Sequence, residues 1–405
     1  MSNITANTLS KEVKNTTRGW GLEACICFPF FSLQFTQQIP TLATLLLILK
    51  GFICLLVGGL VVIKGEKLSP VTKIILFLSI IVCVTTLFNG DNLHLALQRY
   101  YPIVGIALFI ELRKRNITRL YVGIFHAAEI LIYINLITML LYPEGIYIGE
   151  SNNVPYWIIG QKQDFVSVFL IETLLVLILR KRNSLLFSRI LVSMAMVASL
   201  SIILSLGLTF CLAIPLFMFL FKKIFHTNFK SIFLFKVYLV LQSIVIYISF
   251  VFEKLQLLIF ALESISTSDD KPEYTKADTF YERIMMWSDA TKLILKNPLG
   301  NGCISEERFD RIMKTSNYHP HIHNTFWDIM LSGGIFAIIA FVILNVIVSR
   351  SLDKVSGIDR DAYTYILFAS TILMLTECLY WPFVFAIYLF AYYYSNTLMT
   401  TKKCY

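Results

Sequence analysis

A succession of long apolar stretches fills most of this chain and constrains its fold more than any other feature. A stretch of roughly 17–25 apolar residues is long enough to cross a bilayer as a helix. With 57% hydrophobic and 15% charged residues, the chain is too apolar for a single soluble core. We therefore predict an all-α polytopic membrane protein with the lipid bilayer as its solvent. About twelve spans are predicted, at approximately 20–36, 41–63, 71–88, 95–111, 119–142, 165–180, 184–203, 205–222, 231–251, 333–349, 362–379 and 381–397.

Basic residues cluster in alternate loops between these stretches. Cytoplasmic loops of membrane proteins carry an excess of Lys and Arg. Here the clusters lie at residues 11–18, 64–67, 113–119, 180–182, 222–230, 350–360 and 402–403. The intervening short loops are nearly bare, with Lys162 as their main cation. This alternation predicts that both termini are cytoplasmic, and it accounts for the net charge of +9 without a nucleic-acid partner.

On this topology the longest segment outside the membrane lies late in the chain. We predict a membrane domain at 1–251 with about nine spans, a large external loop at 252–330 that contains short helices, and a membrane part at 331–405 with about three spans. The first span is the weakest because it contains Glu23. The division of the long apolar run near Ser205 rests on length alone.

The external loop contains a predicted amphipathic helix. Thr279 and Glu282 fit a capping box at its start, and Asn297-Pro298 and Gly300 are typical of a helix end. Apolar residues share one face of this helix: Ile284, Trp287, Leu293 and Ile294. The apolar stretch 253–265 before it is predicted to continue the ninth span.

Arg283 would then lie in the first turn of this helix or just beyond it. There a guanidinium and the free backbone N–H groups of a helix start are suited to bind phosphate together. A simple anchor at the membrane interface is the alternative role for Arg283.

Three of the six histidines, His319, His321 and His323, lie within five residues just before the tenth span. Three interpretations remain open: a metal site, a general base for a sugar hydroxyl, and a polar turn before a helix. No cluster of carboxylates or cysteines completes a metal site at useful spacing. Gly333-Gly334 shortly afterwards predicts a kink or a close approach.

Ionisable residues inside membrane spans are costly and commonly functional. Arg99 and Glu377 lie near the outer ends of their predicted spans, where they can meet the external loop. A structural Arg–Glu pair is the alternative. Together with Lys162, these two residues are the candidates from the membrane body for binding substrate.

Two segments of the loop resemble a known signature. RIMMWSDATKLILKNPLGNG at 283–302 and HPHIHNTFWDIMLSGGIFAIIAFV at 319–342 are similar to the C-terminal signature of the O-antigen polymerase and ligase superfamily. YWIIGQK at 156–162 resembles a segment of capsule polymerases, and LTE at 375–377 is a weaker similarity. The layout, with many spans and one large late loop, is also similar.

The resemblance implies a GT-C-like membrane glycosyltransferase of the bacterial plasma membrane, with its active site facing outside. The implied donor is an undecaprenyl-pyrophosphate-linked oligosaccharide, and no metal or cofactor is implied. Arg283 is expected to neutralise the pyrophosphate and His323 to act on the acceptor, which makes these two the expected catalytic residues. Arg99, Lys162, His321, Asn324 and Glu377 are expected to bind pyrophosphate or sugar.

Within this superfamily the sequence favours a Wzy-type polysaccharide polymerase, which joins lipid-linked repeat units. The alternative is a ligase that transfers lipid-linked glycan to a lipid A core or another acceptor. Ligases carry an additional arginine in the span corresponding to 205–222, and this chain has none there. A flippase or other transporter is a third class, but no paired broken helices indicate it. A chain-length regulator and a flippase are the expected partners.

Overall fold

A computed structural model describes residues 19–31, 33–90, 92–148, 155–203, 205–263, 276–304, 322–379 and 381–403. These residues form a helical bundle with one two-residue β-pairing, Tyr147–Ile148 (β1) with Pro155–Tyr156 (β2). The helices are α1 Gly21–Cys27, α2 Pro40–Ile63, α3 Pro70–Phe88, α4 Leu93–Arg113, α5 Ile117–Leu141, α6 Phe165–Ile178, α7 Leu186–Ile203, α8 Leu206–Phe225, α9 Ser231–Glu263, α10 Lys276–Lys296, α11 Thr325–Leu352, α12 Ile358–Leu373 and α13 Pro382–Lys403.

Several of these helices are long and apolar enough to cross a membrane. Seven helical stretches meet that description in the described part of the chain: Pro40–Ile63, Pro70–Phe88, Leu93–Leu141, Asn183–Ile203, Gly207–Phe225, Ser231–Val251 and Thr325–Leu352. The third contains both α4 and α5. The fold is that of an all-α polytopic membrane protein, whereas the predicted count of about twelve spans is not supported. Helices α6 and α12 are only 14 and 16 residues long, and a lone span needs roughly 20.

The predicted first span is wrong. Helix α1 has only seven residues, and 3₁₀ turns at Phe28–Phe30 and Gln34–Gln38 follow it. Pro29 lies in the first of these turns, and the backbone at Phe31 is extended. Glu23 is buried and forms a salt bridge with Arg119 at 3.1 Å, so its charge is compensated by protein rather than by water.

Two other boundaries agree with the sequence. The long apolar run divides as predicted, because α7 ends at Ile203 and α8 begins at Leu206. Helix α9 continues past the predicted span to Glu263, as expected from the apolar stretch 253–265. Its 33 residues correspond to a length of about 50 Å, longer than the roughly 30 Å hydrocarbon core of a bilayer.

Helix α10 is the predicted loop helix, but it begins earlier than predicted. It starts at Lys276, so Thr279 and Glu282 lie inside it and the predicted capping box is wrong. Its end at Lys296 agrees with the prediction, and Gly300 beyond it has a φ of +108°. Ile284, Trp287 and Ile294, which were predicted to share one face, are buried, and they pack against Trp327 and Leu331 of α11.

Helix α11 is kinked at Gly334, whose φ and ψ are 66° and −160°. The turn after α10 lies against this kink. The backbone N–H of Asn301 donates to the Leu331 carbonyl at 2.7 Å, and that of Gly302 donates to Ser332 at 2.9 Å. A Cβ atom on Gly334 would lie 2.2 Å from the Leu299 backbone. The predicted kink and the predicted close approach are therefore both present, and the turn satisfies carbonyls that the kink releases.

Candidate functional site

Two stacked tryptophans attach α10 to the start of α11. The rings of Trp287 and Trp327 are 5.4 Å apart and nearly parallel. The indole N–H of Trp287 donates to the Ile322 carbonyl at 2.8 Å, and that of Trp327 donates to Thr291 Oγ1 at 3.0 Å. Arg283 lies one helical turn before Trp287, so this contact holds its guanidinium near the residues that precede α11.

Asn324 is the N-cap of α11 and is fully buried. Its Oδ1 accepts hydrogen bonds from the backbone N–H groups of Phe326 at 2.9 Å and Trp327 at 3.2 Å. Its Nδ2 donates to the Leu375 carbonyl at 2.9 Å and to Gln242 Oε1 at 3.2 Å. Asn324 therefore joins the start of α11 to α9 and to the segment that follows α12. These contacts within the protein account for an asparagine at this position without a role in substrate binding.

Thr325 joins the same two segments. Its hydroxyl donates to the Glu377 carbonyl at 2.7 Å and accepts from the Leu379 N–H at 2.9 Å. Its backbone N–H donates to the Met374 carbonyl at 3.0 Å. The segment 374–379, which contains the LTE similarity, is therefore held against the residues that follow the histidines.

The carboxylate of Glu377 meets both predicted catalytic residues. Arg283 Nη2 lies 3.4 Å from Glu377 Oε1, and His323 Nδ1 lies 3.4 Å from Oε2. Arg283 Nη1 also donates to the Thr376 carbonyl at 2.8 Å. Three elements, α10, the start of α11 and the segment after α12, thus bring Arg283, His323 and Glu377 together. We call these three residues the Glu377 cluster.

Opposing effects set the pKa of Glu377. Burial raises it, but the hydrogen bond with His323 and the positive charge of Arg283 outweigh burial and lower the pKa below its ordinary value. The carboxylate is therefore ionised at neutral pH. It acts as an acceptor and a counter-charge rather than as an acid.

His323 adopts a left-handed backbone conformation with a φ of +51°. For a residue with a Cβ atom this conformation costs on the order of 1 kcal/mol. Such strain persists only where surrounding contacts impose it, and the capping contacts of Asn324 and Thr325 do so here. His323 is also buried, with 7% of its surface exposed.

Arg99 lies beside this cluster rather than in it. Its Nη1 forms a 2.9 Å salt bridge with Asp328 in the first turn of α11. The alternative of a structural pair between Arg99 and Glu377 is therefore wrong, because Arg99 pairs with Asp328 and Arg283 takes the Glu377 carboxylate. Arg99 joins α4 to α11 one turn past Asn324.

Asp164, which the sequence did not indicate as a candidate, is influenced by the charge of Glu377. It is the last residue before α6 and is buried. Burial raises the pKa of Asp164 to about 7, a hydrogen bond from the Gln161 backbone N–H opposes the rise, and the charge of Glu377 adds to it. It lies two residues after Lys162, just beyond the segment 156–162 that resembles capsule polymerases.

Lys162 and His321 are the remaining predicted substrate-binding residues. Lys162 is exposed in the turn before α6. His321 and His319 lie outside the described residues, so the predicted role of His321 stays a prediction. Within the described ranges, no group of three His, Cys, Asp or Glu residues is arranged to hold a metal ion.

Residues 187–342 match a family model described as O-antigen ligase. The resemblance to the O-antigen polymerase and ligase superfamily is therefore confirmed over this segment. The match covers α7 to α10 and the kink of α11, and it includes Arg283, His323 and Asn324. A search of curated proteins found no match. The family match supports a membrane glycosyl-transfer function of the O-antigen ligase or polymerase type.

Proposed function

We propose that this protein is a polysaccharide polymerase on the outer face of a bacterial plasma membrane. It transfers the oligosaccharide of a polyprenyl-pyrophosphate-linked repeat unit to the end of another lipid-linked repeat unit. The observation that carries the proposal is the meeting of Arg283 and His323 on the Glu377 carboxylate. The glycosyl-transfer family of residues 187–342 supports it.

His323 is the proposed general base. A carboxylate on Nδ1 favours the tautomer with its proton on that atom, so Nε2 is the nitrogen that accepts a proton. The acceptor hydroxyl loses its proton to His323 as its oxygen bonds to the anomeric carbon of the donor. Glu377 orients the imidazole and stabilises the positive charge that develops on it.

Arg283 is the proposed partner of the leaving group. The bond between the anomeric carbon and the pyrophosphate oxygen breaks, and the pyrophosphate keeps the electron pair. A guanidinium binds two phosphate oxygens at once and stabilises the charge that develops there. This assignment needs no metal ion or cofactor. Undiminished activity of the purified enzyme after chelation is the expected result, and a loss restored by a divalent cation would contradict it.

The length of the glycan product tests the proposal. Deleting the gene is expected to leave surface glycan at the length of a single repeat. In a purified system with lipid-linked repeats alone, products of two or more repeats are expected. Long polymer in the deletion strain would contradict the proposal.

A ligase is the second candidate, and the family description O-antigen ligase favours it. Against it stands α8, which contains no arginine between Leu206 and Phe225. Loss of a ligase would leave polymer of normal length on its lipid carrier. The two functions therefore differ in what accumulates in the deletion strain, and a partner such as a chain-length regulator would alter only the length distribution.

A further inference from the structure

A cavity of about 440 Å³ lies between α2 and α4. Its walls come from α2, α4, the segment between α1 and α2, and Pro382 at the start of α13. Arg283, His323 and Glu377 do not line it. Arg99 does line it and pairs with Asp328 in the first turn of α11, so this ion pair connects the cavity to the helix that begins at the proposed active site.

Two cations, Lys50 and Arg99, line this cavity. Helices α2 and α4 are in register there, because Cys54 Sγ lies 3.4 Å from the Tyr101 carbonyl oxygen. Lys50 precedes Cys54 by about one helical turn, and Arg99 precedes Tyr101 by about half a turn. The two basic side chains therefore start from a similar depth in the bundle, and both reach the same cavity.

The charge in the cavity is not balanced. Arg99 is paired with Asp328 at 2.9 Å. Across the residues that the structure describes, Lys50 has no carboxylate within salt-bridge distance. Lys50 lies 11 residues into a 24-residue apolar helix, where an uncompensated ammonium is costly. A lysine retained there without a counter-charge is suited to an anionic ligand.

The remainder of the lining shows what kind of anion fits. Polar groups of Thr44, Gln98 and Tyr101 accompany the cations, whereas Leu46 and Leu47 form an apolar wall. Neighbouring α2 residues such as Leu45 and Ile48 are 60% and 66% exposed on a helix apolar enough to face lipid. A headgroup with negative charge and an apolar tail that extends along α2 matches this lining.

We infer that this cavity binds the pyrophosphate of a second lipid-linked oligosaccharide, the acceptor, while the Glu377 cluster acts on the donor. This inference rests on the proposed polymerase function, which requires two pyrophosphate-linked substrates at once. Arg99 connects the two places through Asp328, which lies five residues after His323. A glycan held by its lipid in the cavity can therefore present its far end to the imidazole.

Binding stoichiometry tests the inference. The full chain in phosphatidylcholine nanodiscs is titrated with radiolabelled geranylgeranyl pyrophosphate. Wild-type protein is expected to bind two molecules and Lys50→Met one. Lys50→Arg keeps the charge and is expected to bind two, as is Lys64→Met, a control just past the end of the same helix. One molecule bound to wild type, or two bound to Lys50→Met, would overturn the inference.

An ordinary membrane phospholipid also has an anionic headgroup and an apolar tail. A competition experiment distinguishes binding of a phospholipid from binding of a lipid pyrophosphate. An excess of phosphatidylglycerol is expected to leave both bound pyrophosphates in place. Displacement of the Lys50-dependent molecule would assign the cavity to structural lipid and overturn the inference.

An activity measurement separates this inference from the proposed function. With lipid-linked repeat units as substrate, Lys50→Met is expected to raise the concentration for half-maximal polymer formation about tenfold, with little change in maximal rate. If wild type forms polymer and Lys50→Met matches it at every concentration, the cavity inference alone fails. If wild type forms no polymer, the proposed function fails whatever Lys50 binds.

Discussion

Helix α12 has a charged cluster at each end, and the two clusters are built differently. At the Ile358 end, Arg360 pairs with Asp353 at 2.8 Å and with Asp361 at 3.0 Å. At the Leu373 end, Glu377 meets Arg283 and His323, each at 3.4 Å. The first cluster consists of short ion pairs, whereas the second consists of longer contacts.

The residues that surround the two clusters also differ. Asp353 also accepts hydrogen bonds from the N–H groups of Ser231 at 2.6 Å and Ile232 at 3.1 Å, at the start of α9. Lys222 adds a 2.5 Å salt bridge to Asp361. The other end instead includes a histidine in a strained conformation. The short ion pairs at the Ile358 end join helices. From the longer ion pairs around Glu377 we infer that these charges are able to rearrange for a substrate.

The largest expected effect is on activity at the Leu373 end. Removing the base or the guanidinium eliminates proton transfer or neutralisation of the leaving group. His323→Ala and Arg283→Ala are each expected to lower the polymerisation rate by about 10²–10⁴-fold at normal protein level. The measurement is the rate of polymer formation by purified protein with lipid-linked repeats.

Lys292→Ala, an exposed change on the same helix α10, is the matched control and should leave the rate unchanged. Arg283→Lys should remain poor, because an ammonium does not bind two phosphate oxygens in the same way. Full activity in both alanine variants would remove the site assignment and the contrast between the two ends.

The second expected effect is on stability at the Ile358 end. Asp353→Ala leaves the buried Arg360 with one partner and removes the acceptor for two N–H groups of α9. It is expected to lower the free energy of unfolding by about 3–5 kcal/mol. Thermal unfolding in detergent measures this loss, and the rate per folded molecule should not change.

Asp289→Ala is the control for that change, because Asp289 forms a more exposed pair with Lys292 at 3.3 Å. Such surface pairs contribute only about 0–1 kcal/mol. Equal destabilisation by both variants would mean that the ion pairs at the Ile358 end contribute no more to stability than an exposed pair does.

An intermediate effect is expected when the charge between the two proposed catalytic residues is removed. Glu377→Gln keeps the shape but removes the negative charge that balances Arg283 and leaves one acceptor oxygen where the carboxylate has two. The polymerisation rate is expected to fall by about 10–100-fold. An undiminished rate in this variant at normal protein level would assign Glu377 a purely structural role.

The smallest expected effect is the pH dependence that Asp164 contributes. Its pKa is raised from 3.8 to about 7 in the folded protein, so the folded state binds more protons than the unfolded chain between these values. Stability therefore falls as the pH rises through this window. Asp164→Asn should raise the melting temperature by about 5 °C at pH 8 and by about zero at pH 4. A pH-independent difference, as expected for the control Asp289→Asn, would contradict this.

Local patterns predicted much of the fold. Helix α10, the end of that helix at Asn297, the division of the run at Ser205 and the kink at Gly334 all follow from residue type and short-range periodicity. The start of α10 and the first span were wrong. Helix α10 extends further toward its N-terminus than its cap signal indicates, and packing breaks the segment after Glu23 into short turns.

The candidate site was predicted less completely. Arg283 was identified from its place near a predicted helix start, His323 from the histidine-rich segment, and both from the family resemblance. Glu377 was identified because ionisable residues inside spans are costly. Their meeting depends on Thr325 and Asn324 fastening the segment after α12 to the start of α11. Asp164 gave no comparable signal, because a carboxylate before a helix looks like an ordinary cap.

The sequence by itself determined that this chain is helical and apolar enough to need a lipid bilayer as its solvent. It also indicated the loop residues that are proposed to carry out glycosyl transfer. These properties follow from apolar run length, charge and a local signature. The tertiary structure alone decided the pairing of the charges: Glu377 with Arg283 and His323, and Arg99 with Asp328. These partners are separated by 54 to 229 positions in the chain. Helix packing chooses them, and no spacing within one segment specifies that choice.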